Sequence, residues 1–154
     1  MPSPSFPIPP LPQAGQQRAW WRAPASPSAL AFHVARAAAA HDGPLLVIAR
    51  DNHAAHQLEA DLRTLLGDAA AATGATPVLP FPDWETLPYD HFSPHPEIVS
   101  QRLSTLHRLP SLKHGIVVVP VQTLMQRLAP LRHVVGGSFD VQVGQRLDLD
   151  AEKR

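Results

Sequence analysis

Cysteine is absent from this chain of 154 residues. That removes disulfides, thiolate metal sites and cysteine nucleophiles together, and it fits a reducing cytosol. An excess of either charge is lacking too, because thirteen Lys and Arg balance thirteen Asp and Glu. A free-standing nucleic-acid binder ordinarily carries a basic surplus, so the net charge gives that class no support. No apolar run approaches the roughly 20 residues that cross a bilayer. The start carries six prolines among residues 1–15 and no basic opening, which is not the pattern of a signal peptide. A soluble, cytoplasmic protein with no membrane partner is expected. No motif sets serine, histidine and an acid together for nucleophilic catalysis, so no catalytic residue is assigned.

What is present is a chain with 44% apolar residues, enough for one packed domain. Residues 1–15 read as a proline-rich flexible tail. Gln17–Trp21 has the composition of a short strand. Ser26 or Ser28 then offers a helix cap, with Pro27 suited to the first turn, and the helix runs to His41. Leu45–Ala49 is continuously apolar, the pattern of a strand covered on both faces. Asp51 or Asn52 caps a helix whose inner stripe is Ala55, Leu58, Leu62, Leu65 and Leu66, closed by Gly67. A loop over 69–75 leads to a short strand at Thr76–Phe81, which Pro77 and Pro80 push toward an edge. Pro96 opens a third helix with Val99, Leu103 and Leu106 inward, and Pro110 stops it. Gly115–Val119 is a second buried strand, Gln122–Leu128 a short helix, and His133–Val135 and Phe139–Val143 are strand-like. Residues 147–154 read as the opening of another helix. Strands alternating with helices predict an α/β fold, a parallel sheet with helices on both faces. The expected division is a tail at 1–15, the α/β domain at 16–137, and the truncated start of a small following domain at 138–154.

Two segments invite a functional reading. The first, residues 18–41, stands where an α/β nucleotide-binding domain carries its phosphate loop. That loop needs glycines for backbone approach, a lysine for charge and a hydroxyl for Mg²⁺. On that template Arg22 and Pro27 take the glycine positions, Ser28 the lysine's and Ala29 the hydroxyl's. Proline also lacks the N–H that would point at a phosphate. No cofactor is therefore expected here. The second segment is Phe81–His95, too aromatic for a disordered linker and too rich in proline for a helix or an inner strand. Asp83 and Glu85 mimic the acids of a nucleotide site, but without a lysine loop they serve better in turns, with Trp84 and Tyr89 packing on the sheet.

From Asp83 to Pro130 the sequence DWETLPYDHFSPHPEIVSQRLSTLHRLPSLKHGIVVVPVQTLMQRLAP closely resembles the N-terminal region of the bacterial transcription-repair coupling factors, the Mfd family. The likeness extends more weakly over about residues 17–150. It implies a P-loop NTPase/helicase-like frame similar to domain 1a of the repair helicase UvrB, with its nucleotide loop degenerate, as Arg22, Pro27, Ser28 and Ala29 suggest. In the UvrB-like helicases the corresponding crossing holds a long aromatic hairpin that probes damaged DNA. The ten or so residues from Pro88 to Glu97 are too few for one. The resemblance further implies a non-catalytic domain of a larger protein that displaces RNA polymerase stalled at lesions and recruits excision repair through UvrA. Its partners would be the other domains of that protein, with UvrA, RNA polymerase and DNA met through the whole. ATP and Mg²⁺ would belong to motor domains outside this stretch. A partner or interdomain surface is expected at Trp84, Glu85, Tyr89, Asp90, His95 and Arg102.

Two other readings remain open at this stage: a nucleotide-binding or ATPase domain with residual activity, and a stand-alone adaptor. His91 and His95, four apart, would align on a helix, but Pro94 and Pro96 oppose one, and no metal site is assigned. Arg102, Arg108, Lys113 and His114 form a modest basic cluster of the kind that usually decorates a solvated helix.

Overall fold

The computed structural model describes residues 9–22, 24, 26–67, 76–87 and 91–136. The expectations for 69–75, Tyr89, Asp90, the strand at 139–143 and the helix opening at 147–154 lie outside them, as does the boundary at 137/138.

Three parallel strands, β1 (Pro44–Ala49), β2 (Val78–Pro80) and β3 (Gly115–Pro120), form one sheet in the order β1-β3-β2. Each strand pair is joined through a helix: α2 (Asn52–Leu66) links β1 to β2, and α3 (Pro96–Arg108) returns from β2 to β3. The two crossovers run in opposite directions across the sheet, so keeping the right-handed sense puts their helices on opposite faces. The core divides accordingly. On one face Leu58 and Leu62 of α2, with Ala31, Val34 and Ala38 of α1 (Pro27–Ala40), pack on Ala49, Ile116 and Val118. On the other, Leu106 of α3 and Leu112 cover Leu79, Phe81, Val117 and Val119. The α/β architecture expected from the alternation of elements is the one observed.

Local chemistry sets the element ends. Ser26 caps α1 by accepting the Ala29 N–H at 3.3 Å, with Pro27 in the first turn. Asp51 caps α2, its Oδ1 accepting the Ala54 N–H at 2.7 Å. That bond, more than the neighbouring Arg50, holds the Asp51 carboxyl below its ordinary value. A carboxyl depressed on folding adds stability above its unfolded value of about 3.9 and loses it as pH falls through the lowered one. Asp51→Asn keeps an equivalent cap but drops this linkage. The wild type's advantage over the variant in urea denaturation at pH 7 should therefore shrink to nothing in strong acid. A gap independent of pH would refute the assignment.

β3 is buried along its whole length as the central strand. Its first residue, Gly115, has φ +153°, and an added Cβ would stand 3.0 Å from Pro77 Cγ and 3.1 Å from both Pro77 O and Leu112 Cδ1. Pro77 O is the acceptor for the Ile116 N–H at 2.8 Å, so the backbone cannot back away without breaking the β2–β3 ladder. Gly115→Ala should cost about 2–3 kcal/mol in urea denaturation; a loss below about 0.5 kcal/mol would show that the strand start yields freely.

Several expectations are corrected. Residues 17–22 form no strand: Trp20 is 82% exposed, and Trp21 packs edge-on against His33, ring centroids 5.0 Å apart. A strand needs a ladder partner, and this segment lies against α1, which offers none. β1 is not covered on both faces; it is an edge strand whose Leu46 and Ile48 point outward. The 122–128 region holds only a 3-10 turn at Val121–Met125. His133–Val135 belongs to a short helix, α4 (Leu131–Gly136), not to a strand; its residue Val134 is buried. On α3 Leu106 packs inward as expected, but the fully buried positions are Arg102 and Thr105, whereas Leu103 is exposed.

Candidate functional site

Open α/β sheets bind ligands outside the carboxyl ends of their strands, at the point where neighbouring strands send their chains to opposite faces. Here that point lies between β1, which leads to α2, and β3, which leads through the Val121–Met125 turn to α4 on the α3 side. Three segments meet there: Arg50–Asn52 after β1, Phe81–Leu87 after β2, and Val121–Gln126 after β3.

The space is occupied by the protein's own side chains. Asn52, at the first turn of α2, donates through Nδ2 to Glu85 Oε1 at 2.7 Å, and its Oδ1 accepts the Asp83 N–H at 3.4 Å. From the opposite side the Gln126 amide donates to Asp83 Oδ1. Glu85 sits at φ +58°, a left-handed conformation that a residue with a Cβ adopts only when its surroundings hold it there. The Asn52 contact is the local restraint.

Beneath this network lies Arg102. It is 2% exposed, its guanidinium 4.2 Å from the Phe81 ring centroid and 4.0 Å from that of Trp84. Nη1 donates to Pro82 O at 2.5 Å. One turn on, Thr105 Oγ1 donates to Pro80 O at 2.6 Å. The prolines explain both bonds. Pro80 ends β2 and Pro82 follows it, and their carbonyls, with no neighbouring strand beyond, take donors from one face of α3. Burial lowers the Arg102 pKa from the ordinary guanidinium value, and the Asp83 carboxylate opposes that shift; an arginine stays cationic under either influence.

A cleft of about 560 Å³ opens beside the network, between α2 and the start of α3, lined by His56, Glu59, Arg63, Glu85, His95 and Gln101 among others. Glu59 pairs with Arg63 at 2.8 Å; burial raises its pKa, with Arg63 pulling the other way. His95 does not meet His91 on a helix. It precedes α3 and accepts the Glu97 N–H through Nδ1 at 3.3 Å. Among the described residues no group of three or more His, Cys, Asp or Glu could hold a metal ion.

The residues expected to form a degenerate phosphate loop can also be placed. Arg22 lies in irregular chain, and Pro27, Ser28 and Ala29 form the first turn of α1. Among the described residues no strand leads into this turn, and the Ala29 N–H that could face a phosphate is already taken by Ser26.

Of the expected surface residues, Trp84 is half-buried and Glu85 and His95 are exposed. Arg102 faces inward, away from exposed Arg108 and Lys113, so the basic cluster does not form around it. Tyr89 and Asp90 lie outside the described residues. Sequence reasoning missed Asn52, Thr105 and Gln126. The available signal was the pair of prolines at and just past the end of β2, whose carbonyls need donors, and the i, i+3 spacing of Arg102 and Thr105 that supplies them.

No family model matches the chain. Over 124 residues it is 42% identical to the transcription-repair-coupling factor of Escherichia coli K12, a match covering 80% of this chain and 10% of that protein. Over 122 residues it is 35% identical to that of Myxococcus xanthus, covering 79% and 10%. The chain belongs to the transcription-repair-coupling factor family. A stretch of 70 residues is 53% identical to the Haemophilus influenzae coupling factor. The chain spans about a tenth of the length of the relatives it matches. No helix among the described residues is long and apolar enough to cross a membrane. For a coupling-factor chain, then, the distinctive Phe81–Leu87 crossing is a clamped segment held by α2, α3 and the turn after β3.

Proposed function

We propose that this chain is a non-catalytic scaffold domain of a transcription-repair coupling factor, a UvrB-like α/β frame that has given up nucleotide chemistry. One observation carries the reading: the crevice where an α/β domain would take its ligand is filled by the hydrogen-bonded Asn52, Asp83, Glu85 and Gln126. The start of α1 agrees with it. Pro24 and Pro27 remove N–H donors, Ser26 uses a third, and the sequence carries no lysine before Lys113 to replace them.

In this reading the whole coupling factor displaces RNA polymerase stalled at a lesion and recruits UvrA. ATP and Mg²⁺ act in motor domains outside this stretch. The present domain supports the module that meets UvrA and packs against the rest of its own polypeptide. The crossing at 81–95, with Trp84, Glu85 and His95 accessible, is the part of the frame nearest a partner.

Titration of the chain with fluorescent ATP and Mg²⁺ tests the central claim. No saturable binding is expected up to millimolar nucleotide. Saturable binding at micromolar concentration would overturn it in favour of a domain with residual nucleotide activity.

A further inference from the structure

The charge of this chain is neutral in sum but not in distribution. Residues 1–41 hold three arginines, Arg18, Arg22 and Arg36, and no Asp or Glu. The first acid is Asp42, and after residue 41 ten basic residues stand against thirteen acidic ones. The zero net charge therefore conceals a cationic N-terminal part. A polyanion responds to the charge within about one Debye length, roughly 10 Å at 0.1 M salt, and not to the sum over the molecule.

Two of these arginines flank a pair of tryptophans in the run Arg18-Ala19-Trp20-Trp21-Arg22. Tryptophan ordinarily buries most of its large apolar surface. Here Trp20 is 82% and Trp21 38% exposed. The Arg18 guanidinium stands 5.4 Å from the Trp20 ring centroid, a surface cation–π pair. Trp21 is braced edge-on by His33 of α1, the two rings inclined at 65°, and Arg36 lies one turn further along that helix. Among the described residues neither Arg18 nor Arg22 has an ion-pair partner. Open rings interleaved with arginines that no carboxylate neutralises supply both parts of a single-strand platform: π-faces for bases and cations for phosphates.

We propose that Arg18, Trp20, Trp21 and Arg22 form a platform for a single strand of DNA. A base stacks on Trp20, and Arg18 and Arg22 meet the phosphates on either side of it. Trp21, held by His33, fixes the platform to α1. A duplex fits less well, because its bases already stack on one another and only its phosphates would reach the site. An acidic peptide would satisfy the arginines but brings no flat π-face to Trp20. The choice of DNA over RNA rests on the coupling-factor reading. It agrees with the lack of any carboxylate in residues 1–41 that could select a ribose 2′-hydroxyl.

Fluorescence anisotropy of a labelled oligothymidylate of about twelve nucleotides, titrated with this chain, tests the platform. A Kd of about 10⁻⁵ M is expected at low salt, with log K falling against log salt at a slope of about −1.4, the value for two phosphate contacts on a single strand. Trp20→Ala should weaken binding about tenfold and leave that slope unchanged. Arg18→Gln and Arg22→Gln together should flatten it. Trp20 is exposed, so the Tm of Trp20→Ala should stay within about 1 °C of wild type. Absence of binding, a Trp20→Ala variant that binds like wild type, or a duplex of equal length that binds as tightly would each overturn the proposal. So would tighter binding of oligouridylate, because the occupant would then be RNA, or a polyglutamate peptide whose binding depends on the arginines and matches that of the DNA. ATP brings one base and no run of phosphodiesters. Its micromolar binding would upset the non-catalytic reading and leave the strand measurement standing, so the two can fail separately.

Discussion

Replacing Arg102 by alanine should lower the unfolding free energy by about 3 kcal/mol, the largest loss expected from any side chain near the Phe81–Leu87 crossing. Three effects combine. The guanidinium loses two aromatic faces, at 4.2 Å and 4.0 Å, each worth about 1–2 kcal/mol when shielded from water. Pro82 O loses its donor and remains buried, at about 1–3 kcal/mol. The aliphatic stem leaves a void next to Phe81. Against these stands relief from holding a charge away from water, which offsets part of the sum. Arg102→Met separates the contributions, because it keeps most of the volume and removes the charge; about 1–2 kcal/mol should be lost. Arg102→Lys keeps the charge but lacks the plane that stacks between two rings, so it should not rescue. Urea denaturation measures all three. An alanine variant within about 0.5 kcal/mol of wild type would mean that the clamp contributes nothing.

Leu62→Ala should cost a similar amount, about 3 kcal/mol, for a different reason. Leu62 is fully buried on α2 within the cluster that joins α1, α2 and the sheet. Truncation there removes transfer energy and leaves a cavity that rigid neighbours on two sides cannot close. Leu65, three residues on, is 49% exposed, and Leu65→Ala should cost no more than about 1 kcal/mol. The contrast between two leucines on one helix, read from urea midpoints at equal m-value, tests the rotation of α2 against the sheet. Equal losses would reject it.

These two sites differ in how far they could be read beforehand. Leu62 was legible, because apolar residues at helical spacing over Ala55, Leu58 and Leu62 have one economical burial. The caps of α1 and α2 were legible for the same kind of reason, since Ser26 and Asp51 act within four residues of their own position. The resemblance of residues 83–130 to coupling factors was legible as well, and the identities to the family now carry it. Arg102 was not. On sequence it is a charged residue beside Leu103, and leucine is ordinarily the one turned inward. Its burial follows from the Pro82 carbonyl, twenty residues upstream, and from the Phe81 and Trp84 rings, which meet it only after α3 has folded back over them. Asn52, Asp83, Glu85 and Gln126 illustrate the same limit. They come from three separate segments, the start of α2, the crossing after β2 and the turn after β3, and nothing local in any of them predicts the others.

The sequence by itself determined the alternation of strands and helices, the positions of the caps, the burial of Gly115–Val119 and the absence of a lysine-bearing phosphate loop. Each depends on chemistry within a turn or two of the residue concerned. The tertiary structure alone decided three further matters. It made β1 an edge strand with a bare face, although Leu45–Ala49 is composed like an inner one. It left Gln17–Trp21 without a ladder partner. And it turned the proline-broken crossing after β2 into a clamped segment held by Arg102, Asn52 and Gln126. The physical reason is common to all three: backbone hydrogen bonds and apolar faces must be satisfied, but which distant segment satisfies them is settled by topology.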